Sequence, residues 1–275
     1  MGGGGGGYPA DALMTIETNP EVLAICYAQG WCAHDKYMTY SEAAAVTDIS
    51  TKFDKNKNIT HFEELEYFGV TSFASTAFRG CTNLESVVLG ANVTSLGDYM
   101  FNSSGLKRLI INSTDITNWG TSNTFRSCPV EYIYSKSVTT TPLSSTLNMQ
   151  SLTTLVLDTT VRTAGGFRCP LLTNVTIKEG VTIFSNYGFR GCSSLVSITL
   201  PSTTATLDGQ MFYDCLSLQR VTILAETPPA CSTSTGTFGN VTNVTIYVPS
   251  GSVEVYKAAS GWSRYASWIQ AIPST

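Results

Sequence analysis

One spacing constrains this chain more than any other feature. The stretch FRGCTNLESVVL at Phe78–Leu89 returns, nearly unchanged, as FRGCSSLVSITL at Phe189–Leu200. A frame L-x-x-V/I/L-x-L/I runs through both and recurs as Leu84/Val87/Leu89, Leu106/Leu109/Ile111, Leu152/Leu155/Leu157, Leu172/Val175/Ile177, Leu195/Ile198/Leu200 and Leu218/Val221/Ile223. Two degenerate members, Val130/Ile133 and Val241/Val244/Ile246, complete the series. The first positions, 84, 106, 130, 152, 172, 195, 218 and 241, step by 22, 24, 22, 20, 23, 23 and 23 residues. A unit that short, one strand and one turn, has no second layer on which to bury its own apolar side chains. Stacking supplies that layer: alternate strand residues point inward, and each strand pairs with its neighbours at about 4.8 Å in a parallel sheet, so eight frames span roughly 34 Å.

A second anchor precedes each frame: Phe78, Phe101, Phe125, Leu147, Phe167, Phe189 and Phe212, with Phe238 closer to its own. These side chains are expected to fill the far side of the coil. A helical reading fails, because LVSITLPSTTATL at 195–207 is rich in β-branched residues and lacks a 3.6-residue period. The segment carrying Leu65, Phe68 and Val70 reads as a ninth, leading coil.

The period lies within the range of leucine-rich repeats, about 20–29 residues. The stretch AFRGCTNLESVVLGANVTSLGDYMF at 77–101, with Ala before the Phe, Cys three residues after it and a valine-rich turn, resembles the BspA-like leucine-rich repeats of bacterial surface proteins. The tail at 245–272 is similar to the end of such arrays. The resemblance covers roughly residues 20–272 and implies an α/β solenoid, β-dominated: a leucine-rich repeat right-handed superhelix of about nine coils with a parallel sheet and small helical caps at both ends. The expected division is a glycine-rich linker or tag at 1–10, a helical N-terminal cap at 11–58, the solenoid at 59–248 and a C-terminal helical cap at 249–275.

Open solenoid ends need covers. At the C-terminus Ser252 is placed to cap a short helix through Tyr256 and Ala259, and Trp262, Tyr265 and Ile269 share one face of a following turn as an apolar lid. At the N-terminus, residues 21–46 resemble the small helix-loop-helix that precedes these repeats, where relatives carry an EF-hand or dockerin-like calcium loop. Laid on Trp31–Glu42, that loop keeps Asp35 and Glu42 but has Trp31, Ala33 and Lys36 at ligand and glycine positions. Calcium takes six to eight oxygens and a sharp turn at the glycine, so the segment reads as a degenerate loop kept for packing, with no metal expected.

Composition narrows the function classes. Charged residues make up 13% of the chain and the formal net charge is −4, which leaves no basic footprint for nucleic acid or an anionic membrane. No apolar run reaches the roughly 18 residues of a membrane helix. The N-terminus shows no secretory signal pattern, so either Met1 starts an unexported product or an export signal has been replaced. Four of the eight cysteines, Cys81, Cys128, Cys192 and Cys215, share one repeat position, and buried free thiols explain them better than disulfides, with a Cys26–Cys32 pair or a pair of stacked neighbours the alternative. The only histidines, His34 and His61, lie in the leading region with no triad spacing. Glu63, Glu64 and Glu66 read as one exposed acidic run. No cofactor is implied, and an enzyme reading finds no positive signal.

Binding finds one. Positions between the inward residues face the concave surface, and there Lys107, Arg108, Glu131, Tyr132 and Tyr134 form a cluster, with Arg220 further along; Tyr and Arg dominate binding hot spots. Arg79, Arg126, Arg168 and Arg190 each follow an aromatic anchor and line up along an edge. The resemblance implies a non-enzymatic adhesion protein on or outside a bacterial cell, with a protein or glycan on another cell or host surface as partner. A phage fibre or tail-tip domain of a virion is the alternative. An exposed end strand or the glycine run offers a route to self-association.

Overall fold

A computed structural model of the chain describes residues 9, 11–14, 19–121, 123–136, 149–158, 163–164, 168–184, 187–207, 209–233 and 236–274. The expected linker at 1–10, residue 9 apart, and the anchors Leu147 and Phe167 lie outside them. The chain divides into two compact units, Met1–Ile133 and Tyr134–Thr275. The first holds α1 (Pro20–Ala28), α2 (Tyr40–Ala45), β1 (His61–Phe62), β2 (Ser86–Leu89) and β3 (Arg108–Ile111), and the division falls inside β4 (Tyr132–Ser135). The second continues with β5 (Thr154–Leu157), β6 (Thr163–Ala164), β7 (Asn174–Ile177), β8 (Ile183–Phe184), β9 (Ser197–Leu200), β10 (Thr206–Leu207), β11 (Arg220–Ile223), β12 (Ala230–Cys231), β13 (Thr245–Val248), α3 (Val253–Ala258) and β14 (Ile269–Ala271). The wall strands β1, β2, β3, β4, β5, β7, β9, β11 and β13, counted among the described residues, mark about eight turns of a parallel-sheet, leucine-rich repeat solenoid.

Most frame residues are buried as the repeat requires, although Val175 and Ile177 of β7 are only half-buried. In β3 the pattern is exposed Arg108, buried Leu109, half-buried Ile110 and buried Ile111, and β11 repeats it with Arg220, Val221, Thr222 and Ile223. In the first unit β1, β2 and β3 pair in parallel, with Phe62 opposite Val87 and Val87 opposite Leu109. In the second, β9, β11, β13 and β14 form one parallel sheet, and β6, β8, β10 and β12 line the opposite side of the coils in another. Among the described residues, the first unit marks that opposite side by parallel bridges, Ser72 to Ser95 and Ser95 to Asn118. There Thr94 and Thr117 each donate a hydroxyl hydrogen bond to a carbonyl of the preceding coil, Thr71 and Thr94. Coils approach so closely here that a Cβ on Gly97 would overlap the Ala74 carbonyl oxygen.

The aromatic anchors form a column inside each unit. Phe78 stacks on Phe101 at 5.7 Å and Phe101 on Phe125 at 5.5 Å; in the second unit Phe189 stacks on Phe212 at 6.0 Å and Phe212 on Phe238 at 5.3 Å. Each near-parallel pair adds roughly 0.5–1.5 kcal/mol beyond its buried area. The columns extend past the repeats. Phe53 packs against Phe78 at 5.7 Å, and Tyr265 closes on Phe238 edge-on at 5.1 Å. The repeat cysteines tie into the same column: Cys215 donates to the carbonyl of Phe189 and Cys81 to that of Phe53, so Phe53 is the anchor of the leading coil. All eight cysteines are free thiols, and burial pushes Cys26, Cys81 and Cys192 up to about 12.

Several expectations are corrected. The leading coil exists, but its wall strand is β1, placed by pairing His61 with Ser86; Leu65, Phe68 and Val70 are buried just after it. The last frame is shifted by two residues, since Val221 pairs with Ile246 and not with Val244. A two-residue slip keeps every side chain on its face, so alternation alone cannot detect it. Glu63, Glu64 and Glu66 are not one exposed run, because the 3-10 turn Glu64–Tyr67 buries Glu64, where it accepts a hydrogen bond from Asn19. Ser252 precedes α3 without a side-chain capping bond. The lid residues Trp262, Tyr265 and Ile269 are buried as expected, Trp262 donating to the Pro229 carbonyl, but the segment then rejoins the sheet as β14 beside β13.

At the other end, Glu42 has become a cap. Its two carboxylate oxygens accept bonds from the Ala33 and Thr39 N–H groups and from the Thr39 hydroxyl, while the Thr39 hydroxyl accepts from the Glu42 N–H, a reciprocal capping box on α2. Partial burial works to raise the Glu42 carboxyl, but these hydrogen bonds outweigh it and hold the group below its ordinary value. The Trp31–Glu42 segment is therefore organised around helix capping, and the carboxylate that a calcium loop would require is already committed.

Candidate functional site

Folding consumes the inward residues and the strand backbones, and leaves the outward face of the wall strands carrying the side chains with chemistry. In the first unit His61, Ser86 and Arg108 stand side by side, because β1, β2 and β3 pair in that register. One residue earlier on neighbouring coils sit Glu85 and Lys107, joined by an ion pair of 2.7 Å. That hydrogen bond raises the Lys107 ammonium above its ordinary value, with the Glu85 charge and, more weakly, Glu131 adding to it. Arg108 lies over the Tyr132 ring at 5.2 Å, a cation–π contact across the coil step. Glu63 accepts from the Ser86 hydroxyl at 3.1 Å, and Thr60 pairs with His61 at 3.0 Å. Thr60, His61, Glu63, Glu85, Ser86, Lys107 and Arg108 line a shallow depression of about 440 Å³. Lys107 and Arg108 thus lie near Glu131 and Tyr132 respectively, while Val88, whose position between inward residues points it to the outward face, is covered.

Tyr134 belongs to a different arrangement. In the second unit its hydroxyl donates to Asp158, which also pairs with Lys178 at 2.8 Å. The Lys178 hydrogen bond, then that of Tyr134, holds the Asp158 carboxyl below its usual range. This short polar ladder steps from β4 past the ends of β5 and β7.

Arg220 lies elsewhere in the second unit, with partners of its own. The guanidinium stacks over Tyr247 at 5.4 Å, beside a groove of about 590 Å³ that Ser197, Gln219, Asn243 and Thr245 also line. The sequence frame misses Tyr247, because Val241/Val244/Ile246 sits two residues too early and ends just before it. The signal was present in Tyr247–Val248, which continues the alternation of Thr245–Ile246. Exposed Arg over half-buried Tyr is therefore a device found in both units.

Of the arginines that follow an aromatic anchor, Arg79 and Arg190 have different partners. Arg79 is held by Asp54 through two hydrogen bonds of 3.0 and 2.7 Å, and Arg190 is sandwiched between Tyr187 and Tyr213 at 5.4 and 4.8 Å while donating to Gln210. Among the described residues no group of three or more His, Cys, Asp and Glu side chains is placed to hold a metal ion, and no helix is long and apolar enough to cross a membrane.

A family model described as BspA type leucine-rich repeat region matches residues 47–167 and 163–259 in six copies. No curated protein matches the chain. Among solved structures it is similar to a leucine-rich repeat protein from Bacteroides ovatus, 20% identical over 74% of this chain and 52% of that one, with a TM-score of 0.47. It is also similar to a leucine rich cell surface protein from Faecalibacterium prausnitzii, 20% identical over 80% of this chain and 68% of that one, with a TM-score of 0.34. A leucine-rich repeat protein from Eubacterium ventriosum is 18% identical over 66% of this chain and 65% of that one, with a TM-score of 0.29. The chain spans about half, 52%, of the Bacteroides protein's length.

Proposed function

Because this chain belongs to the BspA-type leucine-rich repeat family, we propose that it is a non-enzymatic recognition module, displayed on or secreted from a bacterial cell, that uses the outward face of its wall strands to hold a host protein, a glycan or a neighbouring cell. One observation carries this reading. Exposed arginines stacked on tyrosines, Arg108 on Tyr132 and Arg220 on Tyr247, stand on a face whose strand backbones and inward residues are already committed to the fold. Arg and Tyr in such settings dominate binding hot spots. Family membership favours the bacterial surface; it does not name the ligand, because repeat scaffolds carry different sites.

The test is a glycan-array and cell-binding screen of the purified chain beside two variants, Arg108→Ala/Tyr132→Ala and Arg220→Ala/Tyr247→Ala. Capture that drops by about tenfold or more in either variant is expected, the effect of losing a hot-spot pair. Capture that survives both unchanged would remove the outward face from the account.

A further inference from the structure

Resting on that reading of the outward face, we propose that the groove of the second unit binds the carboxylate of an acidic oligosaccharide. Register builds the groove. Arg220 pairs with Ser197 on one side and Thr245 on the other, so these three stand in one row across β9, β11 and β13. Thr222 pairs with Tyr247, which puts the Tyr ring one row further on, within reach of the Arg220 guanidinium. Gln219 and Asn243, both exposed, complete the polar lining.

Charge selects the ligand. No acidic residue lines the groove, and among the described residues Arg220 has no ion pair, whereas Arg79, Lys107, Lys178 and Lys257 each have a carboxylate within 3.0 Å. The Tyr247 ring braces one face of the guanidinium. The planar N–H fork that remains matches a carboxylate through two parallel hydrogen bonds. A carboxylate beside Ser, Thr, Asn and Gln side chains would meet hydroxyl and amide partners suited to the rest of a sugar ring.

A peptide fits less well. Extended peptides gain affinity by main-chain bonding to an unpaired strand edge and by seating alternate side chains in apolar pockets. Here β11 is bonded to a neighbour on both sides, and Val196 is the only aliphatic lining residue. The groove offers side-chain hydroxyls and amides, one cation and one aromatic plate, which are the partners of a charged pyranose.

The experiment is titration calorimetry of the full chain with a short oligogalacturonate, and with its methyl ester, which keeps the hydroxyls and removes the charge. The acid form is expected to bind, and the ester at least about tenfold more weakly, the size of a lost charge-assisted hydrogen bond. Arg220→Gln is expected to weaken the acid form to the level of the ester, and Arg220→Lys to fall between; Arg220 is exposed, so neither change disturbs the core. Lys52→Gln, which removes an exposed cation of the first unit, is expected to change nothing. Equal binding of acid and ester, indifference to Arg220→Gln, loss in Lys52→Gln, or tighter binding of a glutamate-rich peptide would each overturn the assignment, as would no oligogalacturonate binding at millimolar concentration. In those cases the recognition reading stands if cell capture still depends on the outward face, and falls only if that dependence is lost as well.

Discussion

The depression of the first unit and the groove of the second use the same parts and reach opposite electrostatic outcomes. Each has an exposed arginine at the first position of a wall strand, lying over a tyrosine of the following coil. Around Arg108 the lining includes Glu63 and Glu85, the first bonded to Ser86 and the second neutralising Lys107. Among the described residues, none that lines the groove with Arg220 carries a carboxylate. A cation whose neighbours already supply negative charge adds little for an anionic ligand, while one set among neutral hydroxyls and amides keeps its field available. Repetition thus provides equivalent platforms, and a few outward residues decide which platform is closed on itself and which is open.

The largest expected effects concern what the units share. Phe101→Ala in the first and Phe212→Ala in the second each remove the middle ring of a stacked column, and each is expected to cost about 3–5 kcal/mol in urea unfolding. A loss below about 1 kcal/mol at either site would mean that the columns are not equivalent supports. The comparison itself is sharpened by Glu63→Gln/Glu85→Gln, which removes both carboxylates beside Arg108 and Lys107. The double variant is expected to gain oligogalacturonate binding in the first unit, seen as a second site by calorimetry; no gain would mean that charge is not what separates the two surfaces.

Smaller effects test the two ends. Thr39→Ala breaks a capping box and is expected to cost about 1 kcal/mol. Ser252→Ala, where no side-chain cap exists, is expected to stay within about 0.5 kcal/mol. Reversal of that order would contradict the assigned caps. The smallest effect is in pH dependence. The folded Asp158 carboxyl titrates below its unfolded value, so its contribution is complete above the unfolded value and is lost as pH falls through the folded one, on the acid side. An NMR titration is expected to show this low midpoint, and Lys178→Met is expected to move it upward; an unmoved midpoint would remove Lys178 as the principal cause.

Much of the fold was legible because a residue's place in the repeat determines its burial. Leu84, Leu109, Phe101 and Cys81 are all buried, as their positions demand. Legibility failed where two arrangements satisfy the same pattern. The slip in β13 preserved inside and outside and so hid Tyr247, the partner of Arg220. Phe53 escaped because the leading coil that it anchors does not spell the L-x-x-V/I/L-x-L/I frame, and Tyr265, legible as a lid residue, carries no mark that it closes the aromatic column. The fate of Tyr134 depended on Asp158, a residue beyond the strand end that no frame position marks. The outward cluster divides for the same reason: Arg108 and Tyr132 meet through the coil step that the period dictates, whereas pairing among polar side chains is set by individual residues and leaves no periodic trace.

The most direct measurement of the central claim is an NMR titration that follows the arginine Nε–H signals while galacturonate is added to the full chain. The account predicts that the Arg220 signal shifts and saturates while that of Arg108, set among carboxylates, stays in place. Parallel, non-saturating movement of both signals, or movement of neither, would contradict it.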